Sequence, residues 1–279
     1  SNGQLGSELR EISHKDQNFV WFFFDINDFD LTDFATTEKV FIDIKPDFII
    51  NCAAYTAVDR AEDEPDKAFM LNSIVPENIV NVLSYFKGFL IHISTDYVFN
   101  GKKASPYNED DLTDPLSVYG KSKEEGEKKV MLYDKSVIIR TSWLYSKYGN
   151  NFVKTILKKS KEIDTLKVVF DQVGTPTNAA DLANAIVEII VQIINGNAKN
   201  GIFHYSNEGV CSWYDFAWEI LNYAKIKTKV IPVTSLEYVQ KARRPSYSVM
   251  DKNKIKNCYS VNIPYWKESL YKALNLLIN

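Results

Sequence analysis

The sequence predicts an α/β fold: a Rossmann-like doubly wound parallel sheet with a smaller mixed α/β C-terminal substrate lobe. Short apolar runs alternate with longer helix-patterned segments through most of the chain. The runs are almost continuously hydrophobic, as parallel strands covered on both faces must be. A strand–helix alternation of this kind builds a parallel sheet with helices on both sides.

The elements follow in order. A helix is predicted to start at Gly6, after a glycine-bearing turn. "FVWFFFD" (19–25) reads as a strand, and "DFATTEKVFIDI" (33–44) as a helix. "DFIINCAA" (47–54) is the next strand, followed by a helical stretch from Pro65 to Lys87. "GFLIHIST" (88–95) and "SVIIRTSW" (136–143) are strands that flank a helix from about Pro115 to Tyr133, with Asp114 as N-cap and Pro115 at the first helical position. A helix over 178–194 and the strand "GIFHYSN" (201–207) complete the pattern. Beyond 207 the rhythm loosens. "SWYDFAWEILNYAK" (212–225) is an amphipathic helix capped by Ser212, and "PYWKESLYKALNLL" is a last one. The expected division is a dinucleotide-binding domain over 1–147 and about 165–207. The substrate-binding lobe then takes about 148–164 and 208–279. A cleft between them would close a ligand off from water.

Composition narrows the function. The chain has 279 residues, 45% of them hydrophobic, and a net charge of -3 with both signs mixed along it. That argues against nucleic-acid or membrane-surface binding. The three cysteines, Cys52, Cys211 and Cys258, lie far apart, and the three histidines are isolated. This predicts a reducing, cytoplasmic setting and no metal site of metal-ligand spacing. No apolar run reaches the length of a membrane span.

The chain opens on "SNGQLGSELRE". Gly3 and Gly6, followed by helix pattern, resemble the back half of a dinucleotide fingerprint. Gly3 would admit a pyrophosphate to the unpaired N–H groups of the helix, and Gly6 would let that helix pack on the sheet. Asp25 stands 19 residues past Gly6, at the end of a predicted strand. There it would accept hydrogen bonds from an adenosine ribose, although it also suits a turn in "DINDFD". No arginine beside it would hold a 2′-phosphate, which favours NADH over NADPH. The reading places the first strand and first glycine of the fingerprint outside this sequence. It expects the chain alone to fold poorly and bind dinucleotide weakly.

"SVYGKSKEEGEKKV" (117–130) carries Tyr119 and Lys123 four apart, on one face of a helix. A ketone accepts a hydride efficiently only if its oxygen also gains a proton. Bringing a phenol from a pKa of ~10 to about 7 takes roughly 4 kcal/mol. An ammonium ~4 Å away supplies on the order of 4 kcal/mol at an effective dielectric of about 20. Lys123 is therefore expected to depress Tyr119 and to hold the nicotinamide ribose. A second copy of the spacing, Tyr223 and Lys227, reads as the basic tail of a surface helix. The first copy differs because "LIHISTDYVFNG" (90–101) precedes it. That strand ends in Ser94, Thr95 and Asp96, where an open α/β sheet places its ligand.

At these residues the chain resembles the dTDP-4-dehydrorhamnose reductases, extended members of the short-chain dehydrogenase/reductases. "STDYVFNG" (94–101), "DPLSVYGKSKEEGE" (114–127), "RTSWLYSKYGNNFVKT" (140–155), "NCAAYTAVDRAEDEP" (51–65), "DQVGTPTNAADLA" (171–183) and "ARRPSYSVM" (242–250) carry the likeness over nearly the whole chain. The resemblance implies NAD(P)H-dependent reduction of the C4 ketone of dTDP-6-deoxy-L-lyxo-4-hexulose to dTDP-L-rhamnose, within nucleotide-sugar and polysaccharide biosynthesis. It implies Tyr119 as proton donor, Lys123 as its partner and Thr95 as the hydroxyl at the substrate carbonyl, with Asp96 on the sugar. Gly3, Gln4 and Leu5 would line the pyrophosphate, Asp30 and Leu31 would meet the adenine, and Ala53, Ala54 and Tyr55 would pass under the cofactor. Trp143 and Asn151 would face the nucleotide-sugar. Arg244 would lie near its phosphates, with Arg243 a rival. Some members bind magnesium at a homodimer contact. Glu8 fits that pattern, but no second ligand stands beside Ala179 and Ala180, so no metal is assigned.

Two other readings compete. A sugar-nucleotide 4,6-dehydratase or epimerase shares the scaffold, but dehydratases carry Thr-Asp-Glu where this chain has Thr95, Asp96 and Tyr97. A non-catalytic NADP-binding subunit of methionine adenosyltransferase would not need Thr95, Tyr119 and Lys123 together.

Overall fold

The computed structural model describes residues 1–278. Its centre is a four-stranded parallel sheet in the order β1 (Phe48–Asn51), β2 (Phe89–Thr95), β3 (Ser136–Thr141) and β8 (Gly201–His204). Alternate residues of these strands feed two cores, which is why the runs carry so few polar interruptions. Ile91, Val137, Ile139 and Phe203 pack on one side against α1 (Gln4–Ser13), α8 (Ala179–Ile194) and α10 (Asn253–Tyr259). Ile49, Leu90 and Ile138 pack on the other side. There they meet α2 (Phe34–Ile44), α5 (Val75–Phe86) and the end of α6 (Val118–Val130).

A short helix, α3 (Val58–Ala61), follows β1, and α4 (Pro65–Phe69) leads into a π-helical turn at Met70–Ile74 that runs directly into α5. The helix expected over 65–87 is thus continuous from Pro65 to Phe86, with a π turn inside it. Inside the turn, Asn72 presents its carbonyl where a Cβ on Gly126 of α6 would stand. Gly120 gives the same clearance to the Tyr97 carbonyl. Two glycines therefore let α6 lie against the turn and against the end of β2, closer than alanine would allow.

A third apolar core holds the remaining elements together. It joins α7 (Phe152–Lys159), α9 (Trp213–Tyr223) and α11 (Trp266–Ile278) with β5 (Thr165–Val169) and β10 (Lys229–Val233). These two strands pair in parallel as a small separate sheet. Four two-residue stretches, in two pairs, join the regions. β4 (Leu144–Tyr145) pairs with β7 (Thr177–Asn178), and β6 (Val173–Gly174) pairs with β9 (Cys211–Ser212). Ser212 caps α9 as expected, in a full capping box with Asp215.

Three local expectations are corrected. Residues 19–25 are extended but enter no ladder. Their side chains still alternate, with Trp21 stacked on Phe23 at 5.7 Å and Phe22 on Phe24 at 6.4 Å. Helix α1 begins at Gln4 with Gly3 as N-cap. A Cβ on Gly6 would strike the Ser1 backbone, so Gly6 serves the turn itself and not packing on the sheet. Helix α6 is capped by Ser117, whose hydroxyl accepts from the Gly120 N–H at 3.2 Å, and not by Asp114. The Asp114 N–H donates instead to the Val98 carbonyl, which keeps Asp114 and Pro115 in the approach to the helix.

Candidate active site

The sequence-predicted residues gather at the carboxyl ends of the strands. Thr95 ends β2 and caps a one-turn 3-10 helix, Asp96–Val98, by accepting from the Tyr97 N–H. Its hydroxyl donates to Asp96 Oδ1 at 3.1 Å and also lies beside the Tyr119 hydroxyl, which it helps to ionise. Thr95, Asp96 and Lys123 are all at least 96% buried. The ring of Tyr119 meets Tyr97 edge-on, with centroids 5.6 Å apart. Lys123 reaches past Tyr119 into the sheet, where its ammonium donates to the Ile93 carbonyl at 2.6 Å.

The electrostatics differ from the expectation. Burial pushes the Tyr119 phenol up to about 12, opposed by the Thr95 hydroxyl and reinforced by the Asp96 charge. Burial pulls Lys123 down to about 8, opposed first by Glu127 and then by Cys52. Burial thus outweighs any help from the neighbouring ammonium, which is bonded to the Ile93 carbonyl, and the phenol ends above its ordinary value. Burial also holds Asp96 up at about 6, against the hydrogen bonds of Ser248 and Thr95.

The turn before α1 offers a second set of groups. Gly3 has no side-chain cap on its helix, the first turn carries no acid, and a Cβ on Gly3 would meet nothing within 4 Å. Free N–H groups with clear space before them suit a pyrophosphate. Asp25 stands beside this turn and accepts from the Asn2 N–H at 2.7 Å. That bond is the largest of the contacts that hold its carboxyl below the usual range. Two buried polar atoms at the carboxyl end of β2, Ser94 Oγ and Asp96 Oδ2, have no partner among the described residues. Such atoms call for a ligand or water. These residues fit a dinucleotide beside a polar substrate.

Other assigned residues prove to be committed to the protein. Leu5 points into the core, and Leu31 packs under α5 while its carbonyl accepts from Asn78. Asp30 closes an Asx turn on Thr32. After β1, the Ala53 N–H donates to Asn51 and the Tyr55 N–H to Asn72, with Ala54 partly buried between them. Asn151 caps α7, and its amide donates to Gln4 Oε1 at 3.0 Å, tying α7 to the glycine turn. Trp143 has a left-handed backbone and stacks on Trp213 with centroids 3.6 Å apart. Arg244 grips Asp59 through two bonds of 3.1 and 2.7 Å and also holds the Tyr97 hydroxyl, while Arg243 is exposed. Glu8 accepts from Ser146. Among the described residues no cluster of three or more His, Cys, Asp or Glu could hold a metal.

Sequence reasoning missed Asn72. It accepts from the Tyr55 N–H and donates to the Tyr55 carbonyl and to Ser122 Oγ at 2.9 Å, so it joins the stretch after β1 to the face of α6 beside Lys123. A lone Asn inside an apolar helical pattern gave no signal. Gly126, opposite it on α6, was the available clue.

A tyrosine–lysine helix laid across the strand ends of a parallel sheet, beside a glycine turn, defines a Rossmann-fold protein of the short-chain dehydrogenase/reductase class. More narrowly, the chain belongs to the family of the RmlD substrate binding domain, whose model matches residues 1–278. The spore coat polysaccharide biosynthesis protein SpsK of Bacillus subtilis is 39% identical over 98% of this chain and 94% of its own length. The dTDP-4-dehydrorhamnose reductase of Escherichia coli K12 is 37% identical, over 99% and 95%. Two solved structures are close. The dTDP-4-dehydrorhamnose reductase of Clostridium acetobutylicum superposes with a TM-score of 0.93 at 42% identity, over 99% of this chain and 96% of that one. The Bacillus anthracis enzyme, solved in complex with NADP, gives 0.92 at 39%, over the same shares.

Proposed function

We propose that this chain reduces the C4 ketone of dTDP-6-deoxy-L-lyxo-4-hexulose to dTDP-L-rhamnose at the expense of NAD(P)H. The observation that carries the reading is the Tyr119 phenol set beside the Thr95 hydroxyl, above a buried lysine. A dinucleotide with its pyrophosphate at the glycine turn would supply the hydride from its nicotinamide end. Thr95 orients the ketone oxygen by turning its single O–H from Asp96 Oδ1 to that oxygen. Tyr119 keeps its proton in the resting state, since its buried phenol is a very weak acid, and gives it up as negative charge gathers on that oxygen. Lys123 stabilises the phenolate left behind, provided it is charged.

Gly3, Gln4, Asp25, Ala53, Ala54, Tyr55 and Ser94 are the residues assigned to the cofactor. The Asp25 carboxylate would repel a 2′-phosphate, which supports a preference for NADH, although the Bacillus anthracis relative was solved with NADP. On the substrate side, Asp96 and Trp143 keep their assignment to the sugar nucleotide. Arg244 can hold its phosphates only by exchanging Asp59 for them, and Asn151 acts as a brace between Gln4 and α7. The third apolar core supplies the lobe that closes over the nucleotide.

The test is a coupled assay. dTDP-4-keto-6-deoxyglucose and a 3,5-epimerase are supplied, and loss of reduced nicotinamide is followed by absorbance. Turnover that vanishes in Tyr119→Phe, with cofactor affinity kept, supports the reading. Full turnover in Tyr119→Phe contradicts it.

A further inference from the structure

Beneath the crevice, the fully buried strand β3 carries one charged side chain, Arg140. The register aligns Ser94, Arg140 and His204 in one row across β2, β3 and β8. Arg140 turns toward α6 and grips Glu127 in a two-pronged ion pair, Nε to Oε1 at 2.9 Å and Nη2 to Oε2 at 2.7 Å. Both side chains are under 5% exposed. Its guanidinium also lies over the Phe99 ring, 5.1 Å from the centroid. A buried pair of this kind is costly to desolvate and contributes little net stability, so its presence asks for another reason.

Glu127 stands one helical turn beyond Lys123, on the same buried face of α6. The ionisable groups facing Lys123 come from every neighbouring element. On α6 they are Tyr119 and Glu127. After β1 comes Cys52, on β2 His92, and on β3 Arg140 behind Glu127. Burial keeps Tyr119 and Cys52 protonated, each up at about 12, and keeps His92 neutral. Among the described residues, Glu127 is thus the group whose negative charge supports the ammonium at working pH.

We propose that Glu127, fixed by Arg140, is a positioning residue that keeps Lys123 charged and bonded to the Ile93 carbonyl, and so sets the upper pH limit of the Tyr119–Lys123 pair. The proposal rests on the reductase reading for its kinetic consequence but not for its electrostatic one. Arg140 prevents Glu127 from rotating toward Lys123 and drawing the ammonium off the carbonyl. Replacing Glu127 by glutamine removes the supporting charge and leaves the Arg140 cation uncompensated. Both changes disfavour a charged Lys123.

Two readouts test this on the full chain. The first is the basic limb of the kcat–pH profile. In Glu127→Gln it should move about one pH unit toward acid, so that at a pH on the wild-type limb the variant keeps roughly a tenth of wild-type turnover. Glu127→Asp, which retains the charge, should restore most of the limb position. The second is the titration of Lys123 Nζ by NMR on 15N-lysine protein, with the signal assigned by its loss in Lys123→Met. It needs no substrate and should show the same displacement. If Glu127→Gln does not fold, the double variant Glu127→Gln with Arg140→Met removes both charges, and its Lys123 signal should still titrate below wild type. A limb and a Lys123 titration that stay at the wild-type position while activity falls evenly at all pH would overturn the proposal and leave Glu127 a purely structural residue. A shifted Lys123 titration in a protein without turnover would uphold it and refute the reductase reading instead.

Discussion

The molecule holds two tyrosine–lysine pairs at the same spacing, and they share nothing else. Tyr119 and Lys123 lie within α6, with Lys123 buried and Tyr119 half-buried. Tyr223 is the last residue of α9, its hydroxyl donates to Asn275 at 2.8 Å, and its ring stacks on Tyr271 with centroids 4.3 Å apart. The chain then turns through a left-handed Lys225, so Lys227 is not on the helix at all, and it is exposed. Spacing therefore brings a tyrosine and a lysine to one sheltered helix face only where the helix continues through both residues and a strand end closes over them. At the first copy that closure comes from Thr95 and Asp96, and from the two glycines that let α6 approach.

The contrast can be broken or sharpened in steps. Lys123→Met should lower kcat by on the order of a hundredfold to a thousandfold, by removing the charge that stabilises the phenolate. Lys227→Met should leave kcat within about twofold, since exposed charge far from the site is worth little. Steady-state kinetics on both variants checks this, and comparable losses would erase the distinction. Thr95→Val should cost roughly tenfold to a hundredfold in kcat, with a smaller change in KM, because a donor aimed at developing charge acts mainly in the transition state.

Asp96→Asn should have a smaller effect with a distinctive pH dependence. Burial raises the folded carboxyl from 3.8 to about 6. Its contribution to stability is thus fully present below about pH 4 and is lost as the pH rises through about 6. The variant should be more stable than wild type at pH 7, by about 1–3 kcal/mol, and the gain should shrink at pH 4. Urea melts at the two pH values measure it, and a constant difference would show that burial does not raise the Asp96 carboxyl. Tyr223→Phe comes last. It should cost no more than about 1 kcal/mol of stability, with kcat unchanged. A large loss of turnover there would mean that the second pair had been misjudged.

Much of this was legible in the sequence. The four paired strands were visible because each feeds two cores and so carries few polar interruptions. Tyr119, Lys123 and Thr95 were visible because motif and preceding strand coincide. What was hidden depends on the third dimension. The π-helical turn at Met70–Ile74 leaves no trace in an apolar helical pattern, yet it delivers Asn72 to Ser122. The pairing of Arg140 with Glu127, and of Arg244 with Asp59, joins residues that only the fold brings together. The 19–25 segment reads as a strand from its apolar run, and among the described residues no neighbouring backbone pairs with it.

The most direct measurement follows hydride transfer in a single turnover, with protiated or deuterated nicotinamide, in water and in heavy water. If the Tyr119 phenol hands over its proton as the carbonyl carbon gains hydride, both substitutions will slow the same step, and the effect of heavy water will disappear in the residual reaction of Tyr119→Phe. A hydride step slowed by the labelled nicotinamide but indifferent to heavy water in the wild-type protein would contradict the account.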